Sequence, residues 1–142
     1  MREDETIHQG LDGVVVDSTS VSKVMPEINS LVYRGYPVQE LAEHCKFEEV
    51  AWLIWHGELP TSKELAEFQA LGRSERSISQ DLVTVIQKSP RNAHPMDVLR
   101  TAVSFLGSED PDLHKSDPET NLRRSISLMA KIPTIIAAFY RF

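Results

Sequence analysis

Residues 95–107, PMDVLRTAVSFLG, place apolar side chains at helical spacing. Pro95 suits the first position of a helix, because the N–H that proline lacks has no intrahelical partner there. Gly107 is a typical helix terminator. The apolar positions that recur with a period of 3.6 residues are Val98, Leu99, Ala102, Val103 and Leu106. This stretch therefore predicts a helix with one face turned toward a core.

The same period continues through most of the chain from Pro37 onward. The segments that carry it are 37–45, 47–57, 61–72, 77–89 and 119–142. Thr61 and Glu64 form a capping-box signal at a helix start, and residues 77–80 repeat it. Phe47 and residues 50–55 are apolar almost all round, which predicts a helix buried on most sides. Pro133 is expected to kink the last helix or split it in two.

The first third of the chain has a different pattern. Residues 11–33 are rich in β-branched side chains, and a turn-prone stretch at 25–30 interrupts them. Alternating segments around such a turn predict short antiparallel strands. They are too few for a sheet-based core. We therefore expect a mainly α protein, a multi-helix bundle over 37–142, with a short β-hairpin-like appendage within 1–36.

Composition excludes several classes of protein. The chain has 142 residues, a net charge of −6 and no basic cluster, so a nucleic-acid partner is not expected. No apolar run approaches the ~20 residues of a membrane helix. The six glycines are never adjacent, and no phosphate-binding loop spacing occurs. The single cysteine, Cys45, forms no internal disulfide and fits a reducing cytoplasm.

The titratable side chains predict no metal site. None of the five histidines has a second histidine three or four residues on. Residues 108–119 are acidic but lack the central glycine of a calcium loop, so we expect a solvated connection. Cys45 is interpreted as a small buried apolar residue. Trp52 and Trp55 are interpreted as core side chains.

Two positions leave a functional and a structural interpretation open. Arg34 lies between a predicted strand and a helix, where it can bind a carboxylate or cap backbone carbonyls. His94 lies next to the N-terminus of the predicted helix that begins at Pro95 and contains Met96. The imidazole of His94 can cap that helix as a neutral acceptor, or it can act as a proton donor or anion contact.

Five stretches together resemble the citrate synthase family, and the bacterial branch with 2-methylcitrate synthases is most similar. They are residues 10–15 (GLDGVV), 33–37 (YRGYP), 52–61 (WLIWHGELPT), 94–100 (HPMDVLR) and 131–134 (KIPT). The resemblance covers almost the whole chain and corresponds to the N-terminal part of the family's large helical domain. It implies a homodimer that condenses oxaloacetate with propionyl-CoA or acetyl-CoA and then releases CoA by hydrolysis. The acyl-CoA is a substrate, and no cofactor is expected.

The resemblance also implies which residues are missing. The family's catalytic histidines and aspartate and its substrate-binding arginines belong to glycine-rich contexts that this sequence lacks. We therefore assign no catalytic, substrate-binding or metal residue. His94 and Met96 correspond to positions near an inhibitory nucleotide site in one hexameric branch, so they are allosteric or structural candidates.

The apolar stripe of the last predicted helix continues to Phe142 without a capping residue. This favours a segment of a longer enzyme, or obligatory pairing with another chain. On its own the segment is expected to be inactive. The alternative is a non-catalytic helical interaction module, or a gene remnant, on the same scaffold.

Overall fold

A computed structural model of the chain describes residue 10 and residues 13–142. The chain is mainly α, and the described residues form six α-helices and one three-stranded sheet. They divide into two compact units, the first ending at Leu59 and the second spanning Pro60–Phe142. The predicted fold class is confirmed.

The first unit contains an antiparallel sheet of three short strands in the order β1-β2-β3. The strands are β1 (Ser22–Met25), β2 (Ser30–Tyr33) and β3 (Tyr36–Pro37). A 3-10 turn links β1 to β2, and Asn29 ends it at φ 49°, a left-handed conformation that asparagine tolerates. Lys23 lies opposite Val32, which in turn lies opposite Pro37.

Two helices complete the first unit, α1 (Val38–His44) and α2 (Phe47–His56). Gly57 ends α2 at φ 92°, as predicted from the sequence. The expectation that α2 is buried on most sides is wrong. Only Leu53 is buried, and Phe47 is 70% exposed. The short strands and the seven-residue α1 are too small to cover a ten-residue helix on every side.

The strand prediction holds for 22–33 and is wrong for the valines before it. Residues 14–19 have no regular structure, and Val15 is 89% exposed. The β-branched pattern is present there, but β1 pairs only with β2, so these residues have no ladder partner. The first stretch of the family resemblance, residues 10–15, includes residues 11 and 12, which lie outside the described residues.

The second unit consists of four helices. They are α3 (Ser62–Ser74), α4 (Gln80–Lys88), α5 (Pro95–Ser108) and α6 (Pro118–Arg141). Thr61 and Glu64 form the predicted capping box of α3. The Ser79 hydroxyl caps α4 by accepting from the backbone N–H of Leu82 at 3.0 Å. Local capping chemistry thus sets these helix starts.

The core of the second unit lies where α4, α5 and α6 meet. Leu82 and Ile86 of α4, Ala102 of α5 and Ile135 of α6 are at most 1% exposed. Leu99 and Leu106 pack against this cluster, as the predicted stripe of α5 requires. Burying complete aliphatic side chains removes apolar surface from water, which is the main favourable contribution to folding.

Pro133 lies inside α6, which continues unbroken from Pro118 to Arg141. Of the two predicted outcomes, a kink or a split, the split is therefore wrong. A proline removes one hydrogen bond from a helix, and α6 has 24 residues. Ile135, two residues further on, is buried in the core and anchors the C-terminal half of the helix.

Candidate functional site

His94 is the N-cap of α5. Its Nδ1 accepts a hydrogen bond from the backbone N–H of Met96 at 3.2 Å. The ring nitrogen thus supplies an acceptor for one of the backbone N–H groups that lack an intrahelical partner at the helix start. The Met96 side chain is 61% exposed. The geometry is that of the capping alternative for His94.

Among the described residues, Arg34 binds a backbone carbonyl and a hydroxyl oxygen. Its Nε and Nη2 donate to the carbonyl oxygen of Ile54 at 3.1 and 2.8 Å, and its Nη1 donates to the Ser20 hydroxyl at 2.8 Å. Ile54 lies in the last turn of α2, where carbonyls lack helical partners. Arg34 therefore caps the C-terminus of α2, which confirms the structural interpretation.

Cys45 is half-buried, and its environment does not activate the thiol. Burial, together with the nearby Glu49 carboxylate, raises the pKa of Cys45. A nucleophilic cysteine needs the opposite shift. On the neighbouring helix the rings of Trp52 and His56 are stacked at 3.9 Å. These contacts support packing within the first unit.

The acidic connection between α5 and α6 is not simply solvated, contrary to the sequence-based expectation. The Asp110 side chain is only 11% exposed. Its Oδ2 accepts from Nε of Arg124 at 2.5 Å, and its Oδ1 accepts from Nη2 of Arg123 at 2.7 Å. These two guanidinium groups hold the pKa of Asp110 well below its usual range. Asp110 is therefore an ionised, structurally bound carboxylate at neutral pH.

Arg124 also reaches two backbone carbonyls of the same connection. Its Nη1 donates to the carbonyl of Lys115 at 2.7 Å, and its Nη2 donates to the carbonyl of Asp112. The Lys115 ammonium in turn pairs with Asp112 at 2.8 Å. One side chain of α6 thus fastens the connection at three points.

Lys131 of α6 bridges to α3. Its Nζ donates to the Glu75 backbone carbonyl at 2.7 Å, to the Glu75 carboxylate at 3.1 Å and to the Ser127 hydroxyl at 2.9 Å. The Lys131 hydrogen bond is the main cause of the lowered pKa of Glu75. A cavity of about 470 Å³ lies between this pair and the Asp110 cluster.

The apolar side chains that line this cavity come from α5, α6 and the connection between them. They include Val103, Leu106, Leu113 and Leu128. At its rim Glu75 is paired with Lys131, and Asp110 is paired with Arg123 and Arg124. The sequence did not reveal these pairs, because Asp110 and Arg124 are 14 residues apart and Glu75 and Lys131 are 56 apart.

The side-chain clusters in the described part of the chain perform capping, ion pairing and packing. Within residues 13–142 and residue 10, no group of three or more His, Cys, Asp or Glu side chains is arranged to hold a metal ion. No described helix combines the length and the apolar character required to cross a membrane. What the arrangement does chemically is to hold helices in place.

The comparisons with known proteins identify the scaffold. A family model described as "Citrate synthase, C-terminal domain" matches residues 10–142. The 2-methylcitrate synthase of Mycobacterium tuberculosis is 53% identical over 131 residues, which cover 92% of this chain and 33% of that protein. The citrate synthase of Mycolicibacterium smegmatis is 53% identical over 135 residues, covering 95% of this chain and 36% of that protein.

A solved structure gives the same result for the fold. Citrate synthase from Pyrobaculum aerophilum superimposes with a TM-score of 0.84 at 36% identity, over 95% of this chain and 36% of that one. The chain thus spans about a third of the length of the relatives it matches. With the family model matching nearly every residue and helices that superimpose on a solved member, the chain belongs to the citrate synthase family.

Proposed function

We propose that this chain is the N-terminal scaffold segment of an acyl-CoA:oxaloacetate condensing enzyme. The proposed reaction joins propionyl-CoA to oxaloacetate with water, giving 2-methylcitrate and CoA, and the second candidate substrate is acetyl-CoA. The observation that carries the proposal is 53% identity over 131 residues to a protein named 2-methylcitrate synthase. A protein named citrate synthase is equally identical, which keeps acetyl-CoA in the proposal.

The described side chains support a scaffold role for this segment. Both positions whose role the sequence left open make structural hydrogen bonds. Arg34 and His94 cap helices, and Asp110 is paired with two arginines. A condensing enzyme needs a base and a neutral donor placed together to form and hold an enol. We propose that the remaining two-thirds of the enzyme supplies them, within a cytoplasmic homodimer.

His94 and Met96 belong to the proposal as structural residues. The capping bond accounts for the position of His94, and Met96 enters that bond through its backbone N–H. An allosteric role would require a ligand that contacts the imidazole or the exposed Met96 side chain. His94→Asn keeps a capping side chain but removes the imidazole. A nucleotide that binds the parent chain more tightly than this variant would support the allosteric role instead.

The proposal is tested by CoA-thiol release from the purified 142-residue chain. With oxaloacetate and either propionyl-CoA or acetyl-CoA, we expect no release above background. Thermal unfolding with each ligand is measured in parallel, since a ligand that binds the native state raises its apparent stability. Thiol release by the isolated chain would overturn the scaffold assignment. A stable oligomer that is active in binding another protein would instead favour a helical interaction module.

A further inference from the structure

Residues 109–117, which connect α5 to α6, form a segment that we call the strap. The strap contains no helix or strand. Together with α5 and α6 it lines the cavity of about 470 Å³, to which it contributes Pro111 and Leu113. Leu113 is 53% exposed, so apolar burial fastens the strap only weakly.

Polar contacts hold the strap to α6, and Arg124 makes more of them than any other residue of that helix. The Arg124 guanidinium uses all three of its nitrogens on the strap, at the Asp110 carboxylate and at the carbonyls of Asp112 and Lys115. Its side chain is 25% exposed. Arg123 also reaches Asp110 and Asp112, but its side chain is 49% exposed. Hydrogen bonds to shielded charges contribute more than exposed ion pairs do.

The hydrogen bonds inside the strap depend on the same residues. The backbone N–H of Asp112 donates to Asp110 Oδ1 at 3.1 Å, and the N–H of Leu113 donates to the Asp110 carbonyl at 3.2 Å. The N–H of Lys115 donates to the carbonyl of Asp112 at 2.8 Å. Their acceptors lie on residues that Arg124 anchors. Releasing Arg124 therefore loosens all three amides together.

We propose that the strap is a closing element over the α5–α6 cavity and that Arg124 is its latch. In the closed state Arg124 holds Asp110, Asp112 and Lys115 against α6. In the open state the strap swings away and uncovers the apolar walls formed by Val103, Leu106 and Leu128. The helices stay folded during this opening, because their core residues lie on α4, α5 and α6 and none lies on the strap.

Hydrogen exchange of the 142-residue chain tests the latch directly. In Arg124→Gln we expect the amides of Asp112, Leu113 and Lys115 to exchange at least about tenfold faster, while the core amides of α5 and α6 keep their rates. In Arg124→Lys, which keeps the charge but not the three-point geometry, the acceleration is smaller.

Two control variants show whether the effect is specific. Arg123→Gln is expected to accelerate strap exchange at most about fivefold. Arg100→Gln removes an exposed ion pair with Asp97 on α5, outside the strap, and leaves strap exchange unchanged.

Unchanged strap exchange in both Arg124 variants would overturn the proposal. So would acceleration that spreads equally through α5 and α6, because the strap would then not open as a separate unit. If Arg124→Gln does not fold, Arg124→Lys decides between these outcomes. If neither variant folds, Arg124 supports the whole unit, and the latch proposal is wrong.

Discussion

Ile135 and Ile136 are adjacent on α6 and differ sharply in burial. Ile135 is 1% exposed within the α4–α5–α6 core, whereas Ile136 is 53% exposed. Replacing either residue with alanine removes the same three carbon atoms. The pair therefore isolates the effect of packing from that of composition and helix propensity.

The expected losses follow from the burial. Three buried carbons correspond to roughly 2.4 kcal/mol of transfer free energy at about 0.8 kcal/mol each. The cavity left behind raises the cost of Ile135→Ala to about 3–4 kcal/mol. About half of Ile136 is already in water, so Ile136→Ala should cost about 1 kcal/mol.

Urea unfolding followed by circular dichroism at 222 nm measures both variants of the 142-residue chain. With a denaturant slope of about 2 kcal/mol/M, Ile135→Ala should lower the midpoint by roughly 1.5–2 M and Ile136→Ala by roughly 0.5 M. Equal losses in the two variants would refute the assignment of the core. A larger loss at Ile136 would show that α6 packs through a different face.

Three further predictions concern helix ends and charge. Gly57→Ala should destabilise the chain by about 1–2 kcal/mol, because φ is 92° at this position. Gly72→Ala, inside α3, should instead stabilise the chain by about 0.5–1 kcal/mol. Chemical denaturation measures the change in the free energy of unfolding for each variant and so distinguishes the two signs. Thr61→Ala should cost about 1 kcal/mol through loss of the α3 cap, and Ser62→Ala less than about 0.5 kcal/mol in the same assay. Because the pKa of Asp110 is lowered in the folded chain, its carboxylate contributes fully to the free energy of unfolding above about pH 4, and this contribution is lost as the pH falls further. The stability difference between Asp110→Asn and the parent chain should therefore shrink below that pH. A difference that stays constant would contradict the pairing of Asp110 with the two arginines.

Features encoded by neighbouring residues could be predicted from the sequence. The caps at Thr61 and His94 and the terminator Gly57 each act within a few residues, and the structure contains all three. The capping box predicted at 77–80 is wrong, because α4 begins two residues later, with Ser79 as its N-cap. The apolar stripe of α5 likewise predicted the face that packs on the core.

Features that depend on distant partners could not be predicted in the same way. Val15 has a β-branched side chain, which favours strands, but no described strand pairs with it. Pro133 breaks an isolated helix, whereas burial of Ile135 keeps α6 continuous. The sequence predicted a solvated strap, because Asp110 pairs with Arg124, which lies 14 residues further along the chain and outside any helical spacing.

A chimera tests the central claim most directly. This chain replaces the region of the Mycobacterium tuberculosis 2-methylcitrate synthase that it matches, about a third of that protein, and CoA release is measured with oxaloacetate and propionyl-CoA. The unmodified enzyme, purified in parallel, is the control. A chimera that folds and releases CoA well above background is the predicted result. A folded chimera with native-like circular dichroism and no CoA release would contradict the scaffold role.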